Sequence, residues 1–303
     1  MITTKLNIVH ERDKDVKNKT VGIVGQGFVG SAIREGLTNY FSVETMDTDP
    51  KKETTCVSVE ALVSKVDEII FVCLPTPMKK NGRCDTTIVE TVISDINDAA
   101  KRLSKNIVAV IKSTVEPGTT DRLNDRYEDI DIVFNPEFLT EANSFDDFKN
   151  QNRIIIGGPR PATTKVKTMY RKAFPRTPII KTGPTTAETV KYFINCFLST
   201  KVSFANEMKQ VCDKIDVDFD KVVEYALYDN RIGKSHLSVP GPDGSLGFGG
   251  HCFPKDLNAI RHLAAECGIR PAVLTAVWDK NLEVRPQAER DWENMIGRAI
   301  SEE

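Results

Sequence analysis

Hydrophobic and polar positions along this chain follow two different periods, and the change between them divides it. Short apolar runs closed by turn residues recur through the first half. Val21–Val24, Phe41–Met46, Glu68–Cys73, Ile107–Ile111, Asp131–Phe134 and Ile154–Ile156 read as strands. Between them, Val29–Leu37, Val59–Lys65 and Thr87–Leu103 carry helical spacing. Strands alternating with helices predict an α/β fold, a doubly wound parallel sheet of the Rossmann type. Lys5–His10 fits a short edge strand, and Glu11–Lys19 a solvated loop.

The pattern changes at Gly183-Pro184. Thr185–Ile215 keeps one helical period without a breaker, with Val190, Ile194, Phe197, Ala205, Met208 and Cys212 among its apolar positions. Phe219–Leu227, Leu257–Cys267 and Pro271–Leu282 read as further helices. The expected organisation is therefore an α/β domain over 1–183 and an all-helical domain with one long helix over 184–303.

That helix carries a polar stripe. Glu188, Lys191, Asn195, Ser199 and Asn206 fall within about 80° of one another on a helical wheel. Such a stripe is a solvated face or one wall of a site, and the pattern alone favours the solvated face. Lys191 and Asn195, one turn apart, have the spacing to converge on one oxygen and stabilise an oxyanion. Phe193 and Phe197, on the opposite side, read as core.

Composition removes several function classes. The chain has 303 residues, 40% hydrophobic and 28% charged, with a net charge of −2, so no basic surface for nucleic acid or anionic membrane is expected. No apolar run reaches the length of a membrane span, and Met1–Thr20 is too polar for a secretory signal. The seven cysteines are odd in number, scattered and without a CxxC pair. They are expected to be reduced thiols in a cytoplasmic setting, with no metal site.

Two motifs carry chemistry. Gly25-Gln26-Gly27-Phe28-Val29-Gly30 is G-x-G-x-x-G between a strand and a helix. Gly25 suits the tight turn, Gly27 the approach of a pyrophosphate and Gly30 close helix–strand packing, with helix amides from Phe28 and Val29 onward facing the phosphates. Asp47 ends the second strand about 20 residues later, where a carboxylate binds the ribose of NAD; Asp49 competes for that role. The second motif is Gly247-Phe248-Gly249-Gly250-His251-Cys252-Phe253-Pro254-Lys255-Asp256. Its glycines let a ligand approach the sulfur, Lys255 favours a thiolate, and Asp256 can hold a water or a proton.

These motifs stand in an ordered series with Leu74–Pro77, Lys112–Gly118, Asn135–Glu141, Asn152-Arg153, Ala187–Asn195 and Arg231–Gly233. The series, across about residues 20–285, resembles the nucleotide-sugar dehydrogenase family, most closely its UDP-glucose-oxidising branch. The resemblance implies oxidation of a primary alcohol to a carboxylate with two NAD⁺ per turnover. It implies that Cys252 forms a thiohemiacetal and then a thioester. Glu137 would be the base for hydrolysis, Thr114 and Asp256 would hold the water, and Lys191 and Asn195 would stabilise oxyanions. Thr76, Pro77 and Thr114 would line the cofactor cleft. Phe138, Leu139 and Gly249 would contact substrate, Glu141 would order the loop around it, and Lys255 would bind sugar hydroxyls. Arg231 would reach the substrate of a neighbouring subunit, with the long helix as the core of a homodimer.

Family members continue into a second α/β domain that grips the nucleotide, whereas this sequence ends at Glu303. Three readings follow: a minimal enzyme, a separate partner chain that supplies the domain, or a smaller substrate such as a sugar phosphate. A catalytically weak NAD-binding module is a further alternative. The Pro-Gly-Pro stretch within the Val239–Ser245 insertion, together with Gly-Gly-His-Cys, resembles the UDP-N-acetylmannosamine branch, but the Pro-Lys-Asp after Cys252 favours UDP-glucose, with GDP-mannose third.

Overall fold

The computed structural model describes residues 19–302. The Lys5–His10 strand and the polar stretch through Asn18 lie outside the described residues. The chain divides into two compact units, one of Met1–Pro75 and Thr86–Lys191, the other of Thr76–Asp85 and Tyr192–Glu303.

The first unit is built on seven strands: β1 (Thr20–Val24), β2 (Ser42–Met46), β3 (Ile69–Val72), β4 (Ile107–Ile111), β5 (Ile130–Phe134), β6 (Ile154–Gly157) and β7 (Ile179–Thr182). Their order is β2-β1-β3-β4-β5-β6-β7. β3 and β4 are buried along their whole length, so they read as unbroken apolar runs. The helices are α1 (Phe28–Leu37), α2 (Val59–Lys65), α3 (Thr87–Leu103), α4 (Thr119–Arg126), α5 (Ser144–Lys149) and α6 (Arg160–Ala173). One buried cluster joins the sheet to Leu62, Val89, Ile93 and Ile96 of α2 and α3. The other joins it to Ile33, Leu37, Phe148 and Tyr170.

The sheet departs from the expected all-parallel form at one place. β5 and β6 run antiparallel, with Phe134 opposite Gly157. A parallel neighbour needs a crossover that returns the chain to the starting edge. Here β6 starts at the edge where β5 ends, and the connection carries only the six-residue α5. That keeps Asn135–Thr140 at the carboxyl edge.

Three helices and a strand go beyond the sequence expectation. α4 has one buried large apolar residue, Leu123, so no period betrays it. Its first turn is held by Glu188, whose carboxylate accepts from the Gly118 N–H (2.6 Å), the Thr120 N–H (2.8 Å) and the Thr120 hydroxyl (2.6 Å). α5 is too short to show a period, and β7 is a half-exposed edge strand. α6 does have helical spacing in its buried Ala162, Val166, Met169, Tyr170 and Ala173, so that signal was present.

α7 (Pro184–Lys214) begins in the first unit and continues into the second. In the second unit it is followed by α8 (Phe219–Ala226), α9 (Phe253–Glu266) and α10 (Ala272–Val284), then two 3₁₀ turns, Gln287–Glu289 and Asp291–Asn294. Cys196, Phe248, Leu257 and Val277 form one small core, and Ala205, Cys212, Phe219 and Val239 another. α9 starts four residues before the expected Leu257. Proline is tolerated in a first helical turn, where its missing N–H has no intrahelical partner, so the helix begins at Phe253 with Pro254 in its first turn.

Both expectations for the faces of α7 are corrected. The polar stripe is not solvated: Glu188, Lys191, Asn195, Ser199 and Asn206 are all buried. Phe193 is instead 71% exposed and Phe197 57% exposed, and their rings stack in parallel. The physical reason is hydrogen bonding. Each stripe residue has a polar partner to bury against, so burial leaves no group unsatisfied, and the ring-bearing face lies outside the core of this chain.

Candidate active site

The glycine turn follows β1 in the first unit. β2 lies on one side of β1 and β3 on the other, so this is where the strand order reverses, the place where open α/β sheets bind ligands. Gly25 has φ 91°, and a Cβ there would lie 2.2 Å from the Cys73 carbonyl oxygen. A Cβ on Gly30 would lie 1.9 Å from the Gly25 oxygen, whereas one on Gly27 would meet nothing within 4 Å. Two glycines are thus closed against backbone and the middle one faces open space.

Gly27 caps the N-terminus of α1, which begins at Phe28 and Val29. Asp47 sits beside this turn, its Oδ2 accepting from the Gln26 N–H at 2.6 Å. The competing Asp49 accepts from the Lys51 N–H on the exposed side. The buried Gln26 Oε1 has no hydrogen-bond partner. A cradle with free space at Gly27, helix amides, a carboxylate and an unpaired buried acceptor fits a dinucleotide.

Further along the same edge, Lys112, Ser113 and Thr114 follow β4 and Asn135, Pro136 and Glu137 follow β5, all buried. Lys191 donates to the Glu137 backbone oxygen at 2.6 Å, and its Nζ lies 3.5 Å from Glu137 Oε2. Glu137 Oε1 accepts from the Leu139 N–H. Phe138 lies under two cations, the Arg153 guanidinium 4.2 Å and the Lys191 ammonium 5.6 Å from its ring centre. Glu141 is exposed beyond this turn. Burial lifts the Glu188 carboxyl above its ordinary range, against the opposing hydrogen bonds from Thr120 and Gly118.

In the second unit Cys252 is the N-cap of α9 and is half-buried. Lys255 and Asp256 therefore fall in the first helical turn. Asp256 is 1% exposed, and its two oxygens have separate donors: the Asn195 side-chain amide at 2.5 Å and the Lys255 ammonium. Burial alone would lower the Lys255 pKa, but Asp256 and the Cys84 and Cys252 sulfurs outweigh it, and the group is held protonated. Lys255 is thus held by Asp256. Arg231 is exposed and makes a two-point ion pair with Asp229. Thr76 and Pro77 are buried in this unit.

Apart from Asn206 of the α7 stripe, the cysteine loop is held by side chains that the sequence reading did not single out. Asn281 accepts from the Phe248 N–H at 2.7 Å and donates to the Phe248 oxygen at 3.0 Å. Asp291 accepts from the Gly250 N–H at 3.0 Å, and Asn206 from the Gly247 N–H at 3.1 Å. Arg285 pairs with Asp243 at 2.8 Å and lies 3.6 Å from Asp291. A Cβ on Gly249 would lie 2.4 Å from Asp291 Oδ1. An amide at helical spacing from Leu274, Val277, Trp278 and Val284 was a readable signal for Asn281; Asp291 and Arg285 gave none. Among the described residues no cluster of three or more metal-ligating side chains occurs, and no helix is long and apolar enough to cross a membrane.

The fold and the glycine cradle define a dinucleotide-binding protein of the Rossmann type. The chain belongs to the UDP-glucose/GDP-mannose dehydrogenase family: the family's NAD binding domain matches residues 54–174 and its central domain residues 185–283. Its dinucleotide is therefore NAD. UDP-glucose 6-dehydrogenase TuaD of Bacillus subtilis is 34% identical over 229 residues, 73% of this chain and 48% of that protein. UDP-glucose 6-dehydrogenase AglM of Haloferax volcanii is 35% identical over 234 residues, 71% of this chain and 53% of that protein. The chain thus spans about half the length of these curated relatives. A UDP-glucose dehydrogenase from Pyrobaculum islandicum superposes with a TM-score of 0.80 at 27% identity, over 88% of this chain and 68% of that one. GDP-mannose dehydrogenase from Pseudomonas aeruginosa superposes with a TM-score of 0.65 at 25% identity, over 87% and 68%.

Proposed function

We propose that this chain catalyses the NAD-dependent, four-electron oxidation of the C6 alcohol of a nucleotide sugar to the carboxylate, with UDP-glucose as the first-choice substrate. The observation that carries this reading is the placement of Cys252 at a helix N-terminus with the buried Asn195–Asp256–Lys255 cluster in its own unit. A helix N-terminus and a nearby ammonium both favour a sulfur anion. NAD⁺ held at the Gly25–Gly30 turn beside Asp47 would supply the hydride acceptor, one NAD⁺ for each of the two oxidations. Cys252 attacks the intermediate aldehyde, and Lys191 and Asn195 stabilise the oxyanions. Glu137 takes the proton of the hydrolytic water, which Thr114 and Asp256 hold. Glu141, Lys255 and Arg231 serve the sugar, Arg231 that of a second copy.

The exposed stacked pair Phe193 and Phe197, with Phe204 further along the same helix at 60% exposed, supports a homodimer through α7. Phe197→Glu should shift the mass measured by light scattering to that of one chain; an unchanged dimer would remove α7 from the interface. The activity test is a panel of UDP-glucose, UDP-N-acetylmannosamine, GDP-mannose and glucose phosphates read by NADH release. Two NADH and one acid per sugar are expected with UDP-glucose. No NADH with any of them would overturn the reading, and a better nucleotide sugar would change the substrate alone.

A further inference from the structure

We propose that Lys112 is a positioning residue for Glu137: it anchors the turn that carries this carboxylate and sets a cation beside it at a cavity of the first unit. The proposal rests on the reading of Glu137 as the base for thioester hydrolysis.

Lys112 follows β4 and is 7% exposed. Its ammonium donates to Asn135 Oδ1 at 3.1 Å and to the Pro136 oxygen at 3.3 Å. These are the two residues immediately before Glu137. Asn135 is fixed independently, donating to the Ile155 oxygen at 2.7 Å and accepting from the Tyr170 hydroxyl at 2.6 Å. The turn is therefore tied to β4, β6 and α6 at once. Two of the three ammonium protons are engaged in this way. Lys112 also lines, with Glu137, Phe138, Leu139 and Arg153, a cavity of about 220 Å³.

A buried amine is expensive unless its charge is used. Asn135 already has Tyr170 and Ile155, so holding the turn does not by itself require a charge. An apolar side chain of similar volume would avoid the desolvation. Burial lowers the Lys112 pKa to about 8; Glu137 and Cys73 oppose that shift and Lys191 adds to it. The other groups around it are Tyr170, raised by burial, and Cys73, whose thiol burial pushes up to about 12; Arg153 and Asp147 line the same cavity. What the amine adds is positive charge beside Glu137, an attraction that holds the carboxylate in place.

The step it serves is hydrolysis. Water attacks the thioester carbonyl carbon and gives its proton to Glu137. The carbon–sulfur bond breaks, the electron pair leaves on the Cys252 sulfur, which takes up a proton, and the sugar acid is released. Hydride transfers do not use Glu137 in this way, so loss of Lys112 should separate the two phases.

Stopped-flow NADH release with UDP-glucose tests this. Lys112→Met should keep a rapid burst of two NADH per site and then turn over about tenfold to a hundredfold slower. Mass spectrometry should find acyl adduct on Cys252, and Lys112→Arg should recover part of the rate. Burst and steady state slowing together, or neither slowing, would overturn the assignment. If Lys112→Met does not fold, the wild-type chain gives the answer: hydrolysis should slow above about pH 8 as the ammonium is lost, and a flat profile up to about pH 9.5 overturns the proposal. Glu137→Gln serves as the control. If it does not stall after a burst, the reading of Glu137 fails and the proposal with it. If it stalls while Lys112→Met runs normally, only the Lys112 assignment fails.

Discussion

The glycine cradle and the cysteine loop are both glycine-rich turns at a helix N-terminus, yet they are built in different ways. The cradle is nearly self-contained. Gly25, Gly27 and Gly30 lie within six residues, and the closest partners are the neighbouring strand end at Cys73 and the carboxylate of Asp47. The cysteine loop is held from a distance by Asn206, Asn281, Asp291 and Arg285, from α7, α10 and the final 3₁₀ turns. A turn made by backbone fit tolerates changes elsewhere but not in its own glycines. A turn made by remote hydrogen bonds should fail through residues that never approach a substrate.

The largest effect should come from the sulfur itself. Cys252→Ala should abolish acid formation while NAD binding, measured by calorimetry, stays unchanged; appreciable acid from this variant would remove the thioester route. Gly25→Ala should do the reverse. A Cβ 2.2 Å from a backbone oxygen cannot be accommodated without moving the turn, so NAD affinity should fall at least about tenfold. Intact affinity would show the cradle to be more pliable than its geometry suggests.

Asn281→Ala should be intermediate and would sharpen the contrast most. It leaves the Phe248 N–H and carbonyl without partners, a loss of about 2 kcal/mol in urea unfolding. Turnover should fall while NAD binding holds, and equal loss of both would mean the two turns are not independent. A pH dependence follows from Lys112. The folded-state pKa of Lys112 is depressed to about 8 from its ordinary 10.5, so between those values the unfolded chain binds more protons. Stability from this group is least at neutral pH and rises as pH passes from about 8 toward 10.5. Urea midpoints of the wild type relative to Lys112→Met should therefore rise over that window.

The cradle was legible in the sequence because its chemistry is local. Strand, three glycines, helix and acid occur at fixed spacing, and the structure places Asp47 rather than Asp49 beside the turn. The cysteine loop was legible as chemistry and not as architecture: the decapeptide named Cys252, Lys255 and Asp256, but nothing in it pointed to Asn281 or Asp291. The stripe on α7 shows the same limit. Its residues were correctly grouped, and their burial was misjudged, because periodicity separates polar from apolar faces without saying which one the fold covers.

Local order therefore determined the α/β alternation, the long helix and the choice of candidate reactive groups, since each depends on residues a few positions apart. Tertiary structure alone decided the antiparallel turn of β6, the α4 cap at Glu188, the pairing of Asp256 with Asn195 and Lys255, and the exposure of Phe193. The β6 direction depends on the short connection from β5, and the others on whether a distant polar group has a partner inside the protein. That question is settled by hydrogen-bond geometry after packing, which no spacing along the chain encodes.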